Sequence, residues 1–370
     1  VLLTCYDRPD VFTEGYLDRI WETFRGLVFN GPSYMNENFE LIVMPLVELT
    51  KKLDLALTNQ FPDENSAITM IGALTLAFQP IFLRFPPLDE SINDQPIGQL
   101  ILHLIEVFLK LVSSPNEIAA LNAISTLVFC RIGSLVFNSI EAIIQVLRQC
   151  YTTSQSPEVL QFAATILGDI ILKYPSKIEP DVAMLLFQTS VRYFKESYLV
   201  SYQIRVFQLI GDLLSIIPDP ECVLADEILQ GLKTVQSLVI PKVELETKSL
   251  QLRTILHVSK RFILSYQHNP QLIKRNKSLL FFAVLSISKT GYQQDADLLR
   301  SFLDFIDCIL TQDDDIANIF CTFIQRDDII QTIRNIQVFS LKGISASILR
   351  KLQVRYGKGY SRTPKIRRGG

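Results

Sequence analysis

Histidine, cysteine and carboxylate side chains are the candidates for catalysis or metal binding in this 370-residue chain. Their spacing argues against a metal site. The histidines, His103, His257 and His268, lie far apart, and none has a cysteine or a second histidine three or four positions further on. The six cysteines form no Cys-x-x-Cys pair, which is typical of reduced thiols in a cytosolic or nuclear protein. We therefore expect no metal and no cofactor.

Two groups of aspartates stand just before apolar runs. Asp313 to Asp315 form the first group, and Asp327 and Asp328 form the second. A calcium-binding EF-hand loop would need alternating oxygen ligands, a glycine at its sixth position and a glutamate at its twelfth, and these are missing. Carboxylates are favoured in the first turn of a helix because the helix dipole is positive there. Both groups predict helix starts, and an acidic partner-binding patch stays open as the alternative.

Motifs for phosphate binding and nucleophilic catalysis are also missing. The close glycine pair Gly357 and Gly359 follows a predicted helix instead of joining a strand to a helix, so it fits neither nucleotide fingerprint. The sequence contains no Gly-x-Ser-x-Gly elbow and no cysteine with a histidine placed to activate it. We expect a protein that is not an enzyme.

Cations are concentrated at the C-terminal end. Residues 350–370 contain eight lysines and arginines and no acidic residue, which leaves residues 1–349 with 28 basic and 38 acidic residues, a formal charge of −10. An acidic body predicts a protein partner with a basic surface or segment, and binding that weakens as salt rises. Six of these cations are candidate anion-binding or partner-binding residues: Arg355, Lys358, Arg362, Lys365, Arg367 and Arg368.

The predicted tail, residues 354–370, has several alternative roles. It is a solvated disordered end, a contact for RNA or DNA in which Tyr356 and Tyr360 stack on bases, a localisation signal, or an arm that docks on the acidic body. Ser361 and Thr363 are candidate phosphorylation sites, and a phosphate at either position would offset much of the local positive charge.

A mean hydropathy of +0.24 raises the question of a membrane span. The longest uncharged run, residues 65–83, has the length to cross a bilayer as a helix, but it contains polar residues and Pro80. We expect no transmembrane span, and buried helices packed on several sides explain the hydropathy.

A repeated phrase indicates which elements carry these residues. "TILGDIILKYP", residues 165–175, and "QLIGDLLSIIP", residues 208–218, place Gly-Asp at the same position, 43 residues apart. A second phrase repeats at nearly the same distance, because Ser114-Pro115 precedes Ser156-Pro157 by 42 positions. A repeat of about 40 to 47 residues is typical of helical hairpins that stack on their neighbours.

The segment that begins at Ser156 shows how such a helix is encoded. Ser156 is a predicted N-cap, Pro157 fits the first helical position, and Glu158 fits the first turn. Apolar residues then follow the spacing of one buried helix face: Val159, Phe162, Ala163, Ile166, Leu167, Ile170 and Ile171. Similar patterns between prolines predict helices over 270–290 and 327–353, and an N-terminal set over 10–29, 36–60 and 63–83.

The segment "SPEVLQFAATILGDII" resembles a helix of the HEAT/armadillo superfamily, with Ala163 and Ala164 at close-packing positions and Gly168 where two helices approach. The resemblance covers about 114–217 and implies an all-α, right-handed α-solenoid of about seven helix pairs. We predict an N-terminal helical block over 1–95, either separate from the array or continuous with it, the array over 96–353 and the basic disordered tail over 354–370. The Trp and Asn ladder of the import-signal-reading armadillo subclass is not matched, since Trp21 is followed by Arg25.

The superfamily includes nuclear transport receptors of the importin-β and exportin type. The resemblance therefore implies a non-enzymatic scaffold that binds a protein along its repeat surface, with a small GTPase as a candidate partner and a cytoplasmic or nuclear location. The alternative is a subunit of an RNA-processing or chromatin complex that uses the basic tail. A membrane-associated trafficking role and the oligomeric state stay open.

Overall fold

The computed structural model describes residues 96–359, apart from short stretches at 113–116, 130–132, 198, 218–221, 239, 241–243, 291–294, 313 and 325. The predicted helices over 10–29, 36–60 and 63–83 lie outside the described residues, as do residues 360–370. The chain divides into two compact units, Val1–Ile178 and Glu179–Gly370. Everything described is helical, turn or loop, with no strand in these ranges, which confirms the predicted all-α class for this part of the chain.

In the first unit the described helices are α1 (Pro96–Leu111), α2 (Glu117–Phe129), α3 (Gly133–Thr153) and α4 (Pro157–Lys173), followed by a 3-10 helix at Pro175–Lys177. Helix α1 packs on α2 and α3, and α4 packs on α2 and α3. Each helix therefore contacts the next helix along the chain or the one after it, which is the stacking expected of a solenoid.

In the second unit the helices are α5 (Pro180–Glu196), α6 (Val200–Leu214), α7 (Cys222–Ser237), α8 (Leu245–Ser265), α9 (Pro270–Arg275), α10 (Lys277–Leu280), α11 (Phe282–Thr290), α12 (Ala296–Thr311), α13 (Asp314–Phe323), α14 (Arg326–Arg334) and α15 (Lys342–Gly359), with a 3-10 helix at Phe339–Leu341. They form two layers. Layer A is the series α6, α8, α12 and α15, in which each member packs on the next. Layer B is formed by α7, α9 to α11, α13 and α14, and helix α5 packs on α6.

The predicted start of α4 is confirmed. The Ser156 side chain accepts a hydrogen bond from the Val159 backbone N–H, Pro157 is the first helical residue, and Glu158 lies in the first turn. This arrangement satisfies one of the backbone donors that a helix start leaves unpaired. The residues predicted for close packing, Ala163 and Ala164, are buried.

Glycine allows the close approach of α6 and α8. A Cβ placed on Gly211 would lie 2.9 Å from Val258 Cγ2 and 3.3 Å from Val258 Cα. Since the second of these atoms belongs to the backbone, a larger residue cannot be accommodated by a side-chain rotation alone. Gly168 occupies the matching position of the repeated phrase and is buried in α4.

Aromatic rings fill the core where layer B meets layer A. Phe281 makes edge contacts with Phe320 at a centroid distance of 5.2 Å and with Phe305 at 6.2 Å. All three rings are almost fully buried. Edge-to-face pairs of this kind add about 0.5–1.5 kcal/mol to the free energy of area burial.

Two segments predicted as single helices are broken. Residues 270–290 form α9, α10 and α11, and Asn276 at the first break donates its side-chain amide to the Leu272 carbonyl at 2.9 Å. Residues 327–353 are interrupted between α14 and α15 by a 3-10 helix that begins at Phe339. Helix α15 then continues to Gly359, six residues past the predicted end of the array at 353.

Candidate interaction surface

Several polar contacts link neighbouring helices within each unit. The residues that they join are separated by nearly the same number of positions in the sequence. In the first unit the Lys173 ammonium donates to the Val128 carbonyl, 45 positions away. In layer B the Gln236 amide donates to the Leu279 carbonyl at 2.8 Å, 43 positions away. Because these distances are equal to or within two residues of the 43-residue offset of the repeated phrase, the sequence period corresponds to the structural repeat.

Layer A carries the charged contacts of this kind. His257 Nε2 of α8 lies 2.6 Å from Asp212 Oδ1 of α6, and Asp212 is only 1% exposed. Further along the layer, the Lys351 ammonium of α15 lies 2.7 Å from Asp307 Oδ1 of α12. A carboxylate buried like Asp212 requires a hydrogen-bond partner, so the contact with His257 fixes the register of α6 against α8.

A second pair of contacts fixes α8 against α12. The Ser249 hydroxyl donates to Asp295 Oδ2, and the other oxygen of Asp295 accepts from the Leu298 N–H at 2.9 Å as the N-cap of α12. Arg253 Nη1 lies 3.6 Å from Asp297 Oδ2, a partly exposed pair that contributes little to stability.

One helix of layer A presents mainly cations on its outer face. Helix α8 packs on α6 and α12 within its layer and on α7, α10 and α11 of layer B, so its remaining face is turned away from layer B. That face carries Arg253, His257, Lys260 and Arg261, all half-buried, which we call the α8 basic stripe. Their spacing of four, three and one residues places them along one side of a helix.

The two C-terminal members of the stripe have no carboxylate partner. Neither Lys260 nor Arg261 forms an ion pair or a hydrogen bond within the part of the chain that the structure describes. Both lie close enough to Cys308 of α12 to influence it. Burial raises the pKa of the Cys308 thiol, while the positive charges of Lys260 and Arg261 act in the opposite direction and Asp307 adds to the rise.

The predicted tail residues divide at the end of α15. Arg355 lies in α15, where Nη1 donates to Asp314 Oδ1 at the start of α13 and Nη2 donates to the Leu310 carbonyl at 3.3 Å. The backbone of Lys358 is part of the same helix. The other predicted residues lie outside the described ranges: Arg362, Lys365, Arg367, Arg368, Ser361 and Thr363.

The aspartates that predicted helix starts behave as expected at one position and differently at another. Asp314 and Asp315 lie in the first turn of α13, and Asp314 also forms an ion pair with Arg355. In the second group, α14 begins one residue earlier, at Arg326. Asp314 therefore has a structural contact, while Asp315 and Asp328 are exposed.

Among the residues described, no three histidine, cysteine or carboxylate side chains come together as ligands for a metal ion. Within the same ranges, none of the helices combines the length and the hydropathy that a membrane crossing needs. Within the described ranges, Cys150, Cys308 and Cys321 form no disulfide bond.

The acidic excess predicted for the whole body is concentrated at one end of the sequence. Residues 1–95 contain 14 acidic and six basic residues, a formal charge of −8, whereas residues 96–349 contain 24 acidic and 22 basic residues, a formal charge of −2. The described array is therefore nearly neutral, and the charge that it offers a partner is set locally, by stripes such as that on α8. The sequence signal for this stripe is the spacing of Arg253, His257, Lys260 and Arg261 along one side of a helix.

No protein-family model matches the sequence, and no curated protein sequence matches it. Solved structures do match the fold. A crystal structure of importin beta aligns with a TM-score of 0.65 at 16% identity, over 90% of this chain and 41% of that chain. A Kap95:Nup1 complex aligns at 0.64 and 14%, over 91% and 39%, and Kap121p bound to Pho4p aligns at 0.52 and 13%, over 97% and 38%.

This likeness establishes a fold. The predicted all-α solenoid fold is confirmed, because the described helices stack on their neighbours along the chain and the chain aligns with importin beta at a TM-score of 0.65. This chain spans about two fifths of the length of those proteins.

Proposed function

We propose that this chain is a non-enzymatic protein-interaction scaffold of the transport-receptor type, which binds a protein along the exposed face of its stacked helices. The observation that carries the proposal is the stacked helical fold of this chain, which aligns with importin beta over 90% of its length. Such an array distributes exposed side chains over a long continuous surface, so that affinity arises from many contacts.

Two of the matched structures contain a second protein, namely the Kap95:Nup1 complex and Kap121p bound to Pho4p. They support a proposal of protein partners here, and by extension of nucleocytoplasmic transport with a cytoplasmic or nuclear location. The same proposal includes a small GTPase as a binding partner. It also includes the division of the chain into an N-terminal block, an array and a basic tail.

The test is affinity capture from cell extract with the full chain, together with binding of small GTPases loaded with GTP or with GDP. We expect a defined set of protein partners and a preference for a GTP-loaded GTPase. Capture that yields no partner above a control resin would argue against the scaffold. Equal binding of both nucleotide states would argue against the transport-receptor form alone.

The second candidate function is a nucleic-acid-associated subunit, and the basic composition of the tail favours it. Residues 360–370 contain Arg362, Lys365, Arg367 and Arg368 with no acidic residue. Cations that neutralise phosphates give binding that falls steeply with salt. Retention of RNA by the full chain, with loss in a truncation after Gly359, would support this function. A cut after residue 349 is unsuitable, because it would remove the last ten residues of α15.

A further inference from the structure

The α8 basic stripe combines three properties. Its cations are half-buried, they follow one another along a single face, and Lys260 and Arg261 have no ion-pair partner among the described residues. Partial burial removes water from a charge, and an unpaired cation recovers none of that free energy from a carboxylate. An anion supplied by another molecule would recover it.

The carboxylates around the stripe are paired with other residues or form no ion pair with Lys260 or Arg261. On the α6 side, Asp212 is held by His257 at 2.6 Å. On the α12 side, Asp297 faces Arg253 at 3.6 Å and Asp307 is held by Lys351 at 2.7 Å. Asp304 is exposed and forms no ion pair in the described part of the chain.

The register of α8 against α12 shows where the unpaired cations lie. Arg253 meets Asp297 44 positions further on, and the same offset places Lys260 beside Asp304. No ion pair forms there among the described residues. On the α6 side, the residues 45 positions before Lys260 and Arg261 are Ser215 and Ile216, which lie just past the end of α6 and are uncharged. In this register the stripe borders uncharged residues on the α6 side and an acidic edge of α12.

We propose that the α8 basic stripe is a docking surface for an acidic segment of a protein partner, in which carboxylates pair with Lys260 and Arg261. The inference rests on the proposed scaffold function and specifies the charge of one partner segment as negative. The net charge of residues 1–349 predicted the opposite, a partner with a basic surface. Carboxylates pair with both cations in the geometry of charge-assisted hydrogen bonds.

The acidic edge distinguishes a peptide from a nucleic acid. Asp304, which the 44-residue offset places beside Lys260, forms no ion pair among the described residues and repels a continuous phosphate backbone. A peptide places carboxylates beside Lys260 and Arg261 and a neutral or basic side chain beside Asp304. An acidic protein segment is therefore the occupant that fits both edges.

The experiment measures fluorescence anisotropy of a labelled peptide of alternating glutamate and glycine, titrated with the full chain. A peptide with glutamine in place of glutamate and a labelled oligouridine serve as the other probes. The test variant is Lys260→Glu/Arg261→Glu. The matched control is Lys274→Glu/Arg275→Glu, which makes the same charge change at two exposed cations of α9 in layer B.

We expect the test variant to weaken binding of the glutamate peptide about tenfold, and the control to change it less than about twofold. The neutralising variant Lys260→Gln/Arg261→Gln should weaken binding by a smaller factor in the same direction. Equal weakening by test and control variants, or no weakening by either, would overturn the inference. So would oligouridine that binds more tightly than the peptide and is lost in the test variant.

Failure of this inference is distinguishable from failure of the proposed function. If the wild-type chain captures its protein partners and the Lys260→Glu/Arg261→Glu variant captures all of them equally well, the scaffold stands and the docking surface is overturned. Circular dichroism of the three variants, compared with the wild-type chain, shows whether each retains its helical content.

Discussion

Asp212 and His257 connect consecutive helices of layer A through a 2.6 Å contact between Oδ1 and Nε2. Asp212 is 1% exposed and the His257 side chain is 24% exposed, so a buried carboxylate meets an imidazole at the edge of the surface. With Nε2 protonated, the imidazole N–H donates to the carboxylate. The pair is 45 positions apart, one structural repeat, and it fixes the register of α6 against α8.

The first prediction concerns this pair. His257→Leu leaves a buried carboxylate without its partner, so we expect the free energy of unfolding to fall by about 1–3 kcal/mol. Asp212→Asn retains an oxygen acceptor for the imidazole N–H and should cost less. Urea denaturation followed by circular dichroism measures both. His268→Leu is the control, because His268 is exposed, and a loss as large as that of His257→Leu would contradict the prediction.

Glycine substitutions provide a second, matched pair. Gly211→Ala places a methyl group 2.9 Å from Val258 Cγ2 and 3.3 Å from its Cα, and we expect a loss of about 1–3 kcal/mol from overpacking. Gly343→Ala places the same group in α15 with nothing within 4 Å, and we expect a gain of about 0.5–1 kcal/mol. Thermal unfolding of the two variants would contradict this explanation if both changed stability in the same direction.

The third prediction concerns the reactivity of Cys150. Burial raises the pKa of this thiol from 9.0 to about 11, with a further contribution from the nearby charge of Glu117. At pH 8 its thiolate fraction should be about a hundredfold below that of an unperturbed thiol, because each pH unit is a factor of ten. Iodoacetamide labelling of Cys150, followed by mass spectrometry from pH 8 to 11, measures the rate. Labelling at pH 8 as fast as in a free peptide would refute it.

The same shift predicts how Cys150 affects stability at high pH. Since the pKa is raised in the folded state, its contribution to stability is complete below about pH 9, the unfolded value, and is lost as the pH rises through about 11. Cys150→Ser should reduce this loss. An identical alkaline unfolding midpoint for wild type and variant would show that other groups control it.

The end of α15 gives a fourth prediction. Truncation after residue 349 removes Leu352, which is 0% exposed, together with the ion pairs of Lys351 and Arg355. We expect a loss of about 2–5 kcal/mol, the range for deletion of a large buried side chain. Truncation after Gly359 leaves α15 complete and should change stability by less than about 0.5 kcal/mol. Thermal unfolding of both truncations beside the full chain tests this, and equal midpoints would contradict it.

Local signals in the sequence were sufficient where one helix start or one contact surface determines the structure. Ser156, Pro157 and Glu158 act in one turn of α4, so their order alone predicts where that helix begins. The glycine of the repeated phrase marks a close approach of helices, and at Gly211 the approaching residue is Val258. The 43-residue offset of the two phrases predicted the distance that the interhelical hydrogen bonds bridge.

Other features depend on contacts between repeats that no local pattern reveals. The breaks at Asn276 and before Phe339 involve neither proline nor glycine, and Asn276 is held by a hydrogen bond of its own amide to Leu272. The α8 basic stripe becomes visible only when the register of α8 against α12 shows that Lys260 and Arg261 are left without partners. Arg355 was predicted as part of a free tail, yet it pairs with Asp314 from inside a helix.

The repeat length that several contacts between helices share has a mechanical consequence. Since five hydrogen bonds between neighbouring helices close loops of 43 to 46 residues, a pulling force applied at one end loads one repeat at a time. Stability in such a chain is a sum of terms between nearest neighbours. Under tension the second unit should therefore lengthen in discrete steps of about 45 residues. When the force is released, each helix pair should refold onto a folded neighbour before the rest of the unit has refolded.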